Sequence, residues 1–262
     1  MLQDDDLERI RVSLLAAKGA LAPYTPGAIA FENKGPDDPV TAADRAVNTA
    51  LHKSLLRDGE GWLSEESLDD RVRLQQRLLW IVDPIDGTKE FVHGIPEWAV
   101  SVGKVEDGRA IAGGVFNAQT HELFLGSAAH GATLNGSTVR VTQGALKGAL
   151  VLASRSEISR GEWKPFDQGP FRYAGIGSIA YKLALVACGR ADATFTLTPK
   201  NEWDVAGGVA LVEAAGGCVV DLQGKPLRFN RRDTLYQGLI AGSTSIVQEI
   251  LELLAKMETH AR

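Results

Sequence analysis

Trp80-Ile81-Val82-Asp83-Pro84-Ile85-Asp86-Gly87-Thr88-Lys89-Glu90-Phe91-Val92-His93-Gly94-Ile95-Pro96 is the stretch whose reading decides the fold. It completes the apolar run Leu78 to Val82, which lacks polar alternation, as expected of a strand buried on both faces. The run stops at Asp83-Pro84-Ile85-Asp86. Two carboxylates at the end of a buried strand, with no Lys or Arg between them, repel each other. A cation relieves that repulsion, and hard oxygen ligands of this kind suit Mg²⁺. Pro84 stiffens the turn and removes a backbone donor, so the Ile85 carbonyl can face the same ions. Gly87-Thr88 is expected to begin a helix through Phe91, with backbone N–H groups free to cradle a phosphate. The Thr88 hydroxyl would then hold a water in line with phosphorus. Taken alone, Asp83 and Asp86 also read as turn formers and helix caps.

Upstream, the apolar spacing of Leu7, Ile10, Val12, Leu14 and Leu15 predicts a helix over 4–22, closed by Pro23 and Pro26. A Gly-, Pro- and Asp-rich loop is expected over 33–39. Thr41 or Asp44 starts a second helix carrying Val47, Leu51, Leu55 and Leu56. The acidic pair Glu65-Glu66 follows Trp62-Leu63-Ser64 and by itself reads as a solvated surface. Downstream, 99–105 and 110–116 form a strand pair across Glu106-Asp107-Gly108, and 122–125 and 131–134 extend the sheet through the turn Asn135-Gly136. From about Ala149, strands over 149–153, 193–197, 218–222 and 238–241 alternate with helices over 179–187, 205–215 and 246–257. This predicts an α+β half, 1–145, followed by an α/β half, 146–262, tightly packed because no linker composition separates them. The last acidic cluster is Asn201-Glu202-Trp203-Asp204. Asp204 precedes a helix and by itself reads as an N-cap, while Ala206-Gly207-Gly208 lets that helix approach a neighbour closely.

The 262 residues suffice for one large or two packed domains with a substantial core. The formal net charge of −5 and the lack of a dense Lys/Arg run exclude a polynucleotide partner as an expectation. An acidic protein that acts on an anionic substrate needs cations between them. Cys188 and Cys218 lie in apolar, small-residue settings and are expected as buried free thiols, with neither zinc nor redox spacing. The acidic N-terminus does not read as a signal peptide. No stretch approaches the roughly 18 apolar residues of a membrane span. A cytoplasmic location and no membrane partner are expected.

Taken together, Leu63-Ser64-Glu65-Glu66-Ser67, the stretch Trp80 to Pro96 and Glu202 to Gly217 resemble the inositol monophosphatase superfamily of Mg²⁺-dependent, lithium-sensitive phosphatases, with a lesser match over Pro39 to Asn48. The resemblance spans nearly the whole chain. It implies a layered αβαβα sandwich of the inositol monophosphatase and sugar phosphatase type, often a homodimer. It implies two or three Mg²⁺ per active site: Glu65 and Asp83 with the Ile85 carbonyl at the first, Asp83, Asp86 and Asp204 at the second, and a weaker third beside Glu65. It also implies phosphate held by Gly87 and Thr88, Thr88 hydrogen-bonded to Asp44, and Asp44, Glu65 and Thr88 as the catalytic group acting on metal-activated water. A covalent aspartyl route is disfavoured, because phosphatases that use it carry Asp-x-Asp. A P-loop is absent.

The substrate is expected to be a small phosphorylated metabolite. Inositol phosphatases usually place a Glu seven residues before the last metal Asp, where this chain has Leu197. Lys89-Glu90-Phe91 resembles the 3'(2'),5'-bisphosphate nucleotidase branch, whereas His93-Gly94-Ile95-Pro96 looks like the inositol branch. Lys182 resembles a lysine of the nucleotidases. Lys89, Gly177, Ser178 and Lys182 are the substrate-side candidates. Hydrolysis of adenosine 3',5'-bisphosphate is the leading expectation. An inositol, sugar or histidinol phosphate is the alternative, and an idle phosphometabolite-binding regulator is the non-enzymatic one.

Overall fold

The computed structural model describes residues 2–35 and 38–260, the side chains of 2–4, 38 and 258–260 excepted. The chain begins with helix α1 (Leu2–Leu21), whose Ile10, Leu14 and Ala17 are fully buried. An antiparallel pair follows, β1 (Phe31–Gly35) and β2 (Asp38–Thr41), where the sequence predicts a loop. The β1 side chains are mostly exposed and the register slips between Asn33 and Gly35, so no apolar alternation announces the pair. Residues 36 and 37 of the expected loop lie outside the described residues. Helix α2 (Ala42–Leu55) starts at Thr41, whose side chain accepts from the Asp44 backbone while Asp44 bonds back to the Thr41 N–H.

Strand β3 (Gly61–Ser64) pairs parallel with β4 (Leu78–Asp86), and the short helix α3 (Thr88–His93) follows. Then come β5 (Ala99–Glu106), β6 (Arg109–Asn117), β7 (Glu122–Ser127), β8 (Gly131–Leu134) and β9 (Ser137–Val139), completing a seven-stranded sheet in the order β3-β4-β5-β6-β7-β8-β9. Asp107-Gly108 and Asn135-Gly136 take positive φ at both residues (48° and 75°; 48° and 83°), as tight hairpin turns between twisted strands require.

The second half runs β10 (Leu150–Ser154), α4 (Arg155–Ser159), β11 (Arg172–Ile176), α5 (Ile179–Ala187), β12 (Ala193–Thr196), β13 (Lys200–Asn201), α6 (Glu202–Ala214), β14 (Cys218–Val220), β15 (Leu235–Tyr236), β16 (Leu239–Gly242) and α7 (Thr244–His260). A five-stranded sheet forms in the order β11-β10-β12-β16-β14, and β13 pairs with β15. The sequence reading missed β11 and α4, which are short and lie among Ser, Gly and Arg residues. Helices α1 and α2 cover one face of the large sheet, α5 and α6 fill the space between the sheets, and α7 covers the outer face of the small one. This is the αβαβα sandwich. The central core joins Ile81 and Val105 from the first half to Leu183, Val209 and Leu239 from the second.

Helix α6 lies very close to β5 and β6. A Cβ at Gly207 would fall 2.7 Å from Ser101 Oγ and 2.8 Å from the Val102 carbonyl, and one at Gly113 would fall 2.4 Å from the Gly207 carbonyl. The small residues fix how deeply α6, which carries Asp204, sits on the sheet. Trp98 and Trp163 are core residues and Trp203 packs against the core half-buried. Cys188 and Cys218 are free, but half-buried rather than buried. Among the described residues no helix is long and apolar enough to cross a membrane.

Candidate active site

The acidic turn does not follow β4; it lies within it. The strand runs on to Asp86, and its register with β5 slips between Asp83↔Ser101 and Asp86↔Ala99. Pro84 has no N–H to give the ladder, so the strand bulges there. Asp83 is held by its own turn, its Oδ1 accepting from the Ile85 N–H at 3.0 Å. Gly87 follows with φ of 92°, a conformation that favours glycine, and turns the chain into α3.

Asp204 is also placed differently from the sequence reading. Asn201 caps α6, and Asp204 is its third residue, whose Oδ2 accepts from the Asn201 N–H at 2.7 Å. The signal was readable as a capping box, Asn-x-x-Asp, one turn earlier than the expected helix start.

Glu65, Asp83, Ile85, Asp86 and Asp204 all line one cavity of about 430 Å³. Gly87, Thr88, Lys89, Gly177, Ser178 and Lys182 line the same cavity. Asp44 stands behind it, 1% exposed, and reaches it through Thr88. Sites far apart in sequence therefore meet: the β4 bulge, the segment after β3, and the starts of α3, α5 and α6.

The electrostatics of this wall are costly without a counter-ion. The Asp83 carboxyl is pushed well above the usual carboxylate range by burial first, and then by the charges of Glu65, Asp86, Asp204 and Asp44. Asp204 is pushed well up by burial, with Asp86 and Glu65 adding to it. Burial also raises Asp86, against the opposing hydrogen bonds from Ser178 and Ala180. Glu65 is raised by burial, offset in part by Lys34.

The carboxylates are not gathered into a closed cage. Among the described residues no group of three or more His, Cys, Asp or Glu side chains is drawn together for a metal ion. Each is turned onto a protein partner. Lys34 Nζ donates to Glu65 and to Glu66, at 2.7 Å each. Asp86 Oδ2 accepts from Ser178 Oγ and from the Ala180 N–H, at 2.6 Å each. Asp204 bonds the start of its own helix. The donor set nevertheless fits Mg²⁺: hard oxygens, several negative charges that raise one another's pKa, and a backbone carbonyl between them.

Thr88 and Asp44 form a defined pair. Thr88 Oγ lies 3.1 Å from Asp44 Oδ1 and 2.9 Å from the Ile85 carbonyl. One hydroxyl proton cannot serve both acceptors fully, so the remaining lone pairs of Thr88 are left to accept from a water. Asp44 is fixed in turn by the Thr41 N–H at 2.7 Å and Thr41 Oγ at 2.6 Å. Its carboxyl is raised by burial, against the hydrogen bonds from Thr41 and Thr88.

On the substrate side Ser178 caps α5, accepting from the Tyr181 N–H at 2.9 Å with φ of 42°. Gly177 donates its N–H to Glu97 at 2.8 Å. A Cβ at Gly177 would fall 2.4 Å from the carboxyl carbon of Glu90, so any larger residue there displaces the Glu90 side chain. Lys182 is 2% exposed and donates only to the Ile176 carbonyl, at 3.4 Å. Its pKa is pushed down to about 8, by burial first and then by the charge of Lys200.

Sequence reasoning missed several lining residues: Glu90, Ser154, Ser156, Pro199 and Lys200. It also missed Lys34 on the Glu65-Glu66 pair. Nothing local marks a single lysine in an exposed strand, or one before a helix cap, as facing a site. Glu90 was quoted only as part of a motif.

Comparison with known proteins identifies the family and the fold. The model of the "Inositol monophosphatase family" matches residues 7–259. The chain is 34% identical over 241 residues to an inositol-1-monophosphatase of Mesorhizobium japonicum, covering 87% of each. It is 35% identical over 210 residues to the 3'(2'),5'-bisphosphate nucleotidase CysQ of Escherichia coli K12, covering 77% of this chain and 84% of that protein. Among solved structures, an inositol monophosphatase from Anabaena (Nostoc) sp. PCC 7120 superposes with a TM-score of 0.80 at 26% identity, covering 98% of this chain and 97% of the other.

Proposed function

The chain belongs to the inositol monophosphatase family and is a phosphoric monoester hydrolase; on that premise we propose that it is Mg²⁺-dependent and that its substrate is adenosine 3',5'-bisphosphate, cleaved to AMP and phosphate. The observation that carries the substrate choice is Lys182, a buried ammonium with one long hydrogen bond in the same cavity as the carboxylates. An ammonium so poorly paired is costly to bury, and an anionic group of the substrate offsets that cost. Ser178 beside it adds a hydroxyl. Leu197, 47% exposed, brings no carboxylate where inositol phosphatases usually place one.

In this reading Glu65, Asp83, Asp86, Asp204 and the Ile85 carbonyl hold the Mg²⁺ ions. When bound, Mg²⁺ lowers the pKa of water and neutralises phosphate charge. The chain's own residues take the following roles in this reading. Gly87 and Thr88 seat the phosphate at the start of α3. Thr88 accepts a hydrogen bond from the attacking water, and Asp44 holds the threonine hydroxyl in the orientation that leaves this lone pair free. Glu65 takes the proton. Attack in line forms the new P–O bond as the ester P–O bond breaks; the departing alkoxide takes a proton from solvent to become the alcohol, and Glu65 returns its proton to solvent.

A panel of adenosine 3',5'-bisphosphate, inositol 1-phosphate, fructose 1,6-bisphosphate, histidinol phosphate and NADP, assayed for phosphate release with and without Mg²⁺, tests the proposal. Release that requires Mg²⁺ and is fastest from adenosine 3',5'-bisphosphate is the expected result. A preference of tenfold or more for inositol 1-phosphate, consistent with the similar identity to the Mesorhizobium protein, would reject the nucleotide substrate. No release from any of the panel would favour a binding regulator.

A further inference from the structure

We propose that Lys200 is a specificity-determining residue, an ammonium at the cavity rim that selects substrates carrying a second anionic group besides the phosphate to be cleaved. The proposal rests on the phosphatase reading of the same cavity and concerns a residue outside its assigned groups.

Lys200 forms β13 with Asn201, immediately before α6, and lines the cavity together with Lys182. Its side chain is 18% exposed, so it is not an ordinary solvated lysine. Its contacts are loose: Nζ lies 3.4 Å from the Pro199 carbonyl and 3.9 Å from Glu157 Oε1. A bond at 3.4 Å is at the long limit, and an ion pair at 3.9 Å is not a hydrogen bond. Glu157 is already committed elsewhere. It is 2% exposed, accepts from Trp163 Nε1 at 3.0 Å and from Thr196 Oγ1, and so does not follow the lysine. Lys200 is thus anchored weakly at its back and free to bond forward.

Lys182 shares the cavity and feels Lys200 as its main charged neighbour, which places two ammonium groups within mutual influence in a half-buried space. Like charges in that arrangement repel; the Asp86 and Asp204 carboxylates offset part of that repulsion until cations take them, and a small dianion between the ammonium groups then relieves it. Ser154 and Ser156 also line the cavity, with their hydroxyls 2.9 Å apart, and add donors of the kind a phosphate takes. The metal-side carboxylates repel any second anion that is not so held. The chemistry that fits is therefore a phosphomonoester with a further phosphate elsewhere on the molecule.

The test compares matched ligands that keep the phosphate to be cleaved, adenosine 3',5'-bisphosphate against adenosine 3'-monophosphate and fructose 1,6-bisphosphate against fructose 1-phosphate, in wild type, Lys200→Gln, Lys200→Met and Lys200→Arg. In wild type kcat/KM should favour at least one bisphosphate over its partner by tenfold or more. That ratio should fall to threefold or less in Lys200→Gln and Lys200→Met, mostly through KM, and recover in Lys200→Arg. Calorimetric binding of the same pairs without added Mg²⁺ gives a readout independent of turnover, and the same collapse of the ratio is expected there. The nucleotide and sugar arms identify which scaffold carries the second group. A ratio near one in wild type, or an equal ratio in wild type and Lys200→Gln, by either measurement, overturns the proposal. Absence of phosphate release from every ligand would instead overturn the phosphatase reading, while the binding ratio still judges Lys200.

Discussion

Replacing Asp44 by Asn separates the structural and chemical duties of one carboxylate. Asp44 accepts three hydrogen bonds, two from Thr41 and one from Thr88. Asparagine keeps one acceptor oxygen. Placed toward Thr41, it preserves the cap of α2 and turns its NH₂ toward Thr88. Thr88 then accepts from the substituted amide and donates to the Ile85 carbonyl, so its oxygen loses the charge-assisted bond to Asp44 and becomes a poorer acceptor for the water. Converting charge-assisted bonds to neutral ones costs about 1–2 kcal/mol. Burial already raises the Asp44 carboxyl, so removing the charge recovers part of that, and a loss of about 1 kcal/mol is expected. Turnover should fall much further, about 10²- to 10³-fold, the usual scale for a lost proton-handling group. The assay is phosphate release at saturating Mg²⁺ and substrate, with urea unfolding of the same samples. Thr88→Ala should lose a similar factor, and the double variant no more than about threefold beyond the worse single. If the two losses multiplied, or if Asp44→Asn lost activity only in proportion to its folded fraction, the coupling of Asp44 to Thr88 would be refuted.

Asp83→Asn should lower turnover by about 10³ or more, yet raise stability in a chelator at pH 8 by about 1–3 kcal/mol, since it removes a buried charge that lacks a counter-ion; equal or lower urea midpoints would contradict this. The carboxyls of Asp83, Asp204 and Glu202, the last pushed up to about 7 chiefly by burial, are all higher in the folded state than in the unfolded chain. Each therefore costs stability as pH rises from the unfolded value through the folded one, so the chelated protein should melt lower at pH 8 than at pH 5, with Glu202 contributing up to about pH 7. Mg²⁺ should raise the melting temperature more at pH 8 than at pH 5, because protons compete with the ion for carboxyls whose folded values are raised, and an equal Mg²⁺ effect at the two pH values would count against carboxylate ligation. Gly207→Ala should cost about 1–3 kcal/mol by overpacking and lower kcat beyond that, because α6 carries Asp204 off the sheet; kcat per folded molecule equal to wild type would show that Asp204 need not be placed so closely.

Much of the fold was legible because burial leaves a pattern. The run Leu78 to Val82, the turns Asp107-Gly108 and Asn135-Gly136, and the apolar helix 179–187 each carry a local cause that the tertiary structure does not override. The pair β1 and β2 did not show because its residues are exposed, and β13 and β15 did not because two-residue strands have no period. At the site, acidic spacing alone left Asp83 and Asp86 ambiguous between turn and ligand; only the resemblance over three distant segments joined them to Glu65 and Asp204. The β4 bulge was hidden because Pro84 reads as a stop, whereas the strand resumes pairing at Asp86. Lys34 and Lys200 carry no local signal, since their importance comes from what the fold brings opposite them.

The central claim is that side chains from β4, the segment after β3 and the start of α6 hold divalent cations together in one cavity. Anomalous diffraction from crystals soaked in Mn²⁺ tests it most directly. The expected map has at least one strong peak with oxygens of Asp83, Asp86 and Asp204 within about 2.5 Å, and a further peak beside Glu65 and the Ile85 carbonyl. A cavity without a peak under soaking that supports turnover, or an ion bound without Asp83 and Asp204, would contradict it.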